Sequence, residues 1–93
     1  MNISFLNIGN KAFVSVDKIK CIMAADSHKV RRILERANLK RTNTEVIDTT
    51  SDKETRSIIF LDDNTYCVSS VNASILAKRA NSDILESVDE NKD

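Results

Sequence analysis

The chain has 93 residues, with 14 basic and 14 acidic side chains, one His, one Gly, two Cys and neither Pro nor Trp. That length permits one domain and excludes a large enzyme built on a separate cofactor domain. A domain this small buries only about 60% of its unfolded surface, so its core is modest and association is an expected further source of stability.

The zero net charge conceals an uneven distribution. Residues 1–80 carry 13 basic and 9 acidic side chains, a net of +4. Residues 81–93 set Lys92 against Asp83, Glu86, Asp89, Glu90 and Asp93, a net of −4. Such asymmetry fits an anionic partner with an acidic appendage that competes for the same surface; it also fits an ordinary solvated surface of mixed charge. Four aromatics, Phe5, Phe13, Phe60 and Tyr66, make a poor base-stacking platform.

Three short strands are expected in the first quarter. Ile3 to Ile8 is apolar and β-prone, and Gly9-Asn10 follows as a turn in which the only Gly supplies a backbone shape that a Cβ would obstruct. Ala12 to Val16 resumes as a second strand, Asp17-Lys18 punctuates, and Ile19 to Met23 reads as a third. Asp26-Ser27 then offers a helix N-cap. Val30, Ile33, Leu34 and Ala37 fall at i, i+3, i+4 and i+7, which predicts a helix from about Ser27 to about Leu39 with one apolar stripe.

Residues 41–56 are mostly polar and rich in Thr, with Val46-Ile47 as a candidate short strand. Arg56 to Leu61 contains the continuously apolar Ile58-Ile59-Phe60-Leu61 and predicts a strand buried on both faces. Asp62 to Thr65 is a turn by composition, and Tyr66 to Val71 is the second arm of a hairpin. Asn72 caps a short C-terminal helix carrying Ile75, Leu76 and Ala80. From Asn81 onward the chain is acidic and polar, which predicts a disordered tail or a weak helix over 81–93. The fold class expected is α+β: a small, mostly antiparallel sheet with one central amphipathic helix and a short C-terminal one, over residues 1–80.

Cys21 and Cys67 lie in apolar runs without a Cys-x-x-Cys pair, and His28 has no partner at metal-ligand spacing. Both thiols are expected to be buried and reduced. The N-terminus lacks the basic start and long apolar stretch of a signal peptide, and no run approaches the length of a membrane span, so a cytoplasmic protein is expected. Nucleophilic catalysis needs a nucleophile, a base and an orienting group, and nothing sequential supplies them to His28. Asp62-Asp63 is explained by the turn. One Gly cannot build a phosphate-binding loop. No enzyme activity, cofactor, metal, membrane partner or small-molecule substrate is expected.

Two basic clusters remain. Lys29, Arg31, Arg32, Arg36, Lys40 and Arg41 face Glu35 alone between Ser27 and Arg41. At about 100° per residue, Lys29, Arg32, Arg36 and Lys40 form a stripe beside the apolar face, and Arg31 lies on the opposite flank. Such a stripe can hold phosphates while the other face anchors it, and it is equally the solvated side of an ordinary amphipathic helix. Lys53-Glu54-Thr55-Arg56 precedes the apolar strand, which puts Lys53 and Arg56 at the sheet rim. Glu54 cancels one of those charges.

The order of these pieces carries a resemblance. Asn7-Ile8-Gly9, Val14-Ser15, Ile19, Ile22, Ser27, Arg32 and Ala37 are followed in register by Asp48, Thr50, Thr55-Arg56, Ile58-Ile59, Asp62, Ser69-x-Val71, Ala77 and Arg79. The chain resembles, from Met1 to about Ala80, the extracellular matrix regulatory protein RemA family, small bacterial DNA-binding regulators of biofilm matrix genes. The resemblance implies assembly into a ring that binds duplex DNA along its outside to activate transcription, in the cytoplasm at the nucleoid, without a helix-turn-helix. It places the family's basic residue before the third strand on Lys18, its helix arginine on Arg32, and its Gly-Arg-Arg-Thr-Arg loop on Asp52-Lys53-Glu54-Thr55-Arg56.

Here the sequence departs from the family. Asp52 stands for the Gly, Glu54 for an Arg, and Lys29 for a Pro. Lys18 keeps charge without the two-point grip of a guanidinium. The loop is thereby weakened as a phosphate clamp, and Lys29 and Arg31 are expected to compensate. The DNA contacts expected are thus Lys18, Lys29, Arg31, Arg32, Lys53 and Arg56. The alternative is an oligomeric protein-interaction module in which Asp52 and Glu54 have removed DNA binding.

Overall fold

The structure, a computed structural model, describes residues 4–40 and 43–85. The expectations for Arg41 and for the tail from 86 to 93 lie outside the described residues.

Strand β1 (Phe5–Gly9) turns back into β2 (Ala12–Ser15) as a two-stranded antiparallel sheet. Asn10 and Lys11 sit at φ of 51° and 59°, the pair of left-handed residues that a tight hairpin of this twist demands. Gly9 precedes them at φ 103°, in a bulge, and a Cβ there would meet Val71 Cγ2 at 3.1 Å. Gly9 therefore answers both a positive φ and a close approach, as the sequence indicated. Lys11 meets only the first demand. Lys11→Gly is expected to raise stability by about 0.5–1 kcal/mol, since relief of left-handed strain exceeds the chain entropy lost with glycine. Urea unfolding at fixed protomer concentration checks this.

A 3-10 turn (Val16–Lys18) leads into β3 (Ile19–Ala24), and α1 (Ser27–Leu39) follows. Asp26 caps α1, its carboxylate accepting from the Lys29 N–H at 2.8 Å. The remaining elements are β4 (Glu45–Asp48), β5 (Ser57–Leu61), β6 (Thr65–Ser69) and α2 (Ala73–Leu85).

The expected single sheet is in fact two. Strands β3, β5, β6 and β4, in that order, form a second sheet separate from the β1–β2 hairpin. β3–β5 and β5–β6 are antiparallel, whereas β4 lies parallel to β6. Each face of this sheet has its own core. Ile58 and Val68 point toward α1 and pack with Val30 and Ala25; Ile59 and Cys67 point the other way, toward Leu6, Ile8 and Val14 of the hairpin and Leu76 of α2. The unbroken apolar run in β5 is the signature of a strand covered on both sides.

Two further expectations are corrected. The C-terminal helix is not short: α2 has 13 residues, like α1, and passes Asn81 to reach Leu85. Leu76, Ala80 and Ile84 repeat at i, i+4 and i+8, so the helical period runs on into the acidic segment. Cys21 is half-buried, because β3 is an edge strand with a bulge between Ile19 and Cys21. Cys67 is buried as expected, and burial pushes its thiol pKa up, with Asp63 and Glu45 adding to the effect.

Candidate nucleic-acid interface

The parallel placement of β4 dictates the path of the chain that follows it. β4 and β6 end on the same side of the sheet, and β5 begins there, so residues 49–56 must cross over the end of β6. Backbone bonds hold this crossing at both ends. The Thr49 N–H donates to the Val68 carbonyl at 2.9 Å, and the Thr49 hydroxyl donates to the same oxygen at 2.8 Å. At the far end the Arg56 N–H donates to the Ser69 carbonyl at 2.9 Å, while the Arg56 carbonyl accepts from the Ala25 N–H at 3.0 Å.

Within the crossing, Asp48 Oδ1 accepts from the Thr50 N–H at 2.9 Å and from its hydroxyl at 2.6 Å. The Lys53 N–H then donates to the Thr50 carbonyl at 2.9 Å across a turn in which Ser51 has φ 57°. This carboxylate-anchored turn fixes where Lys53 emerges.

The Thr50 hydroxyl and amide hold the Asp48 carboxyl below its ordinary pKa of 3.8. A folded-state pKa below the unfolded one contributes stability that is present above the unfolded value and lost as pH falls through the folded one. Asp48→Asn is therefore expected to flatten the loss of stability below about pH 4, with a small destabilisation at neutral pH because the residue is exposed. Denaturant melts at pH 6 and pH 3 compare the two chains.

The crossing ends one residue short of the α1 cap in space, since Ala25 is bonded to Arg56. Lys53 and Arg56 therefore share one end of the sheet with the N-terminal half of α1, where Lys29 and Arg32 line a shallow open cleft with His28 and Asp26. All four cations are exposed. Arg56 shares its charge with Glu54, Nη2 to Oε1 at 3.7 Å, with the two side chains 50% and 76% exposed. Pairs this open contribute little and are readily displaced by a phosphate.

The other two candidate residues lie apart. Arg31 is exposed on the far flank of α1. Lys18 closes the 3-10 turn at the opposite end of β3, where its carbonyl accepts from the Asp62 N–H at 2.9 Å. Six residues of strand put it about 20 Å from the loop within one protomer. Asp17, Asp62 and Asp63 are its neighbours there in chain or hairpin.

Two cations that the sequence placed in the helix stripe but not in the site, Arg36 and Lys40, line a second cleft with Lys29 over Phe60 and Tyr66. Their spacing from Lys29 was the available signal; the aromatic floor below them depends on strand register, which spacing does not report. Among the described residues no three His, Cys, Asp or Glu side chains come together as a metal site, and no helix is long and apolar enough to cross a membrane.

The chain matches the RemA-like family, described as extracellular matrix regulatory protein A-like, over residues 5–80. It belongs to that family. It is similar to a protein of Geobacillus sp. strain WCH70, 34% identical over 79 residues that span 85% of this chain and 87% of the relative. A protein of Alkaliphilus metalliredigens is 34% identical over 82 residues, 88% of this chain and 85% of its own. A third, from Carboxydothermus hydrogenoformans, is 33% identical over 81 residues, 87% of this chain and 90% of its own. All three bear the name "putative regulatory protein". The matched span begins at β1 and ends within α2, so it contains both cores and the crossing loop of this RemA-like chain.

Proposed function

We propose that this RemA-like chain is a DNA-binding transcriptional regulator of the matrix-gene activator type, acting in the cytoplasm at the nucleoid as a homo-oligomeric ring. Duplex DNA lies along a rim made by Lys29, Arg32, Lys53 and Arg56. The observation that carries this reading is the crossing of residues 49–56 over the end of β6, which brings two loop cations to the sheet end where the N-terminal half of α1 carries two more. Arg31, on the far flank of α1, lies outside this rim within one protomer. Lys18 joins it only from a neighbouring protomer.

One protomer offers few grips on phosphate, so its affinity is weak, and repetition around a ring turns weak binding into avidity. Two features favour assembly. Phe5 and Phe13 are 60% and 59% exposed on the outer face of the hairpin, diagonal to each other in the register Asn7–Phe13. β4 is an edge strand whose Val46 and Ile47 are both exposed, an open template for pairing. A head-to-tail contact between unlike surfaces closes into a ring when its rotation allows.

Gel shifts on long duplex DNA test the reading. Log K is expected to fall by about 0.9 per neutralised phosphate for each tenfold rise in salt, and a curve unmoved by salt sinks it. A monomeric mass at micromolar concentration sinks the avidity argument. The Arg56–Glu54 pair favours a second reading, a ring that docks a protein partner instead; absence of any shift at low salt with the oligomer intact selects it.

A further inference from the structure

Where the second half of α1 overhangs β5 and β6, a cleft of about 500 Å³ opens between helix and sheet. Its floor is aromatic and apolar. Phe60 and Tyr66 are cross-strand partners whose rings stack with centroids 4.9 Å apart and planes inclined by 24°, and each is half-buried. Its rim is cationic: Lys29, Arg36 and Lys40 line it, and among the described residues no carboxylate does. None of the three forms a salt bridge among the described residues. Arg36 and Lys40 stand one turn apart, about 6 Å along the helix, so both can reach one phosphate chain.

This combination narrows the occupant. Three unpaired cations exceed what a single carboxylate needs, which disfavours a fatty acid, and an acyl chain calls for a closed tunnel rather than an open cleft. A DNA backbone would satisfy the cations and leave the aromatic floor uncovered. A planar base with a short phosphate chain satisfies both, and the volume lies in the range of small-ligand sites. Four aromatics are too few to stack a run of bases, but one cross-strand pair is enough for a single base.

We propose that this cleft binds a nucleoside di- or triphosphate, with the base on the Phe60–Tyr66 floor and the phosphates on Lys29, Arg36 and Lys40. Only Lys29 is shared with the proposed DNA rim, so the site stands or falls independently of that reading.

The test uses the full chain with ATP, GTP and inorganic triphosphate as probes, followed by equilibrium dialysis and by the ring resonances of Tyr66, the single Tyr in the chain. ATP or GTP is expected to bind saturably with Kd below about 1 mM and to shift the Tyr66 ring protons, while triphosphate binds more weakly and leaves them in place. The double variant R36A/K40A, exposed positions that leave the core untouched, is expected to weaken nucleotide binding about tenfold or more. Three results overturn the proposal. They are no saturable binding, triphosphate binding as tightly as ATP with Tyr66 unmoved, and Tyr66 shifts that follow protein concentration rather than nucleotide, which would mean that a second copy covers the cleft.

Discussion

Replacing Arg32 and Arg56 together by alanine is expected to weaken binding to long duplex DNA at least about tenfold at low salt and to reduce the slope of log K against log salt by about 0.9 for each phosphate left without its cation. The two side chains come from different elements, α1 and the end of the crossing loop, and share one end of the sheet because the loop is tied at Ala25 and Ser69. Both are exposed, so their removal leaves both cores intact and the circular dichroism spectrum unchanged. A control of equal charge separates placement from net charge. Lys11 and Lys78 are exposed on the hairpin and α2, in the layer on the other side of the sheet. The double variant K11A/K78A removes the same two charges and, compared with R32A/R56A at about 0.1 M salt, where general attraction screens over about 10 Å, is expected to leave affinity within about twofold. Equal losses from the two pairs would show that DNA senses overall charge and that the rim has no special standing.

The largest expected effect on stability comes from Ser69. Its side chain is fully buried, and its hydroxyl donates to the Ile8 carbonyl at 2.6 Å while accepting from the Val71 N–H at 3.0 Å. The first of these bonds joins β6 to β1, the one hydroxyl tie between the main sheet and the hairpin among the described residues. Ser69→Ala strips the partner from an acceptor and a donor that water does not readily reach, so it costs about 2–3 kcal/mol. In a domain of this length that lowers Tm by roughly 10–20 °C. Ser57 is equally buried but makes a single bond, to the Val71 carbonyl at 2.7 Å. Ser57→Ala is accordingly expected to cost about 1 kcal/mol. Urea melts of both variants at one protomer concentration, since association adds to apparent stability, test the ranking; S57A proving the worse would refute the tie between the sheets.

Much of this architecture follows from local pattern. The 3.6-residue period and the Asp26 cap place α1 from about Ser27 to about Leu39, where it is found, and the continuous apolar run of β5 announces a strand covered on two faces. Gly9 marks the hairpin because a positive φ and a nearby Val71 leave room for no other residue without strain. The cations of α1 fall into a stripe by helical geometry alone. These are short-range consequences, settled within a few residues of where they are written.

Pairing is a different matter. Val46-Ile47 reads as a strand, but nothing in four residues says that it lies parallel to β6 rather than antiparallel to a sequence neighbour, or that the hairpin detaches as its own sheet. Those choices are made by long-range burial: Ile59 and Cys67 need a cover that Leu6, Ile8, Val14 and Leu76 supply from distant parts of the chain. The basic rim inherits this dependence. Lys53 and Arg56 come to the sheet end that holds Lys29 and Arg32 because β4 runs parallel to β6 and forces the loop across that end, and Lys18 is left at the other end because it precedes β3, which runs antiparallel to β5. Side-chain identity and helical phase are written along the chain; the meeting of separate segments depends on which apolar faces bury one another, an energy that no single segment contains.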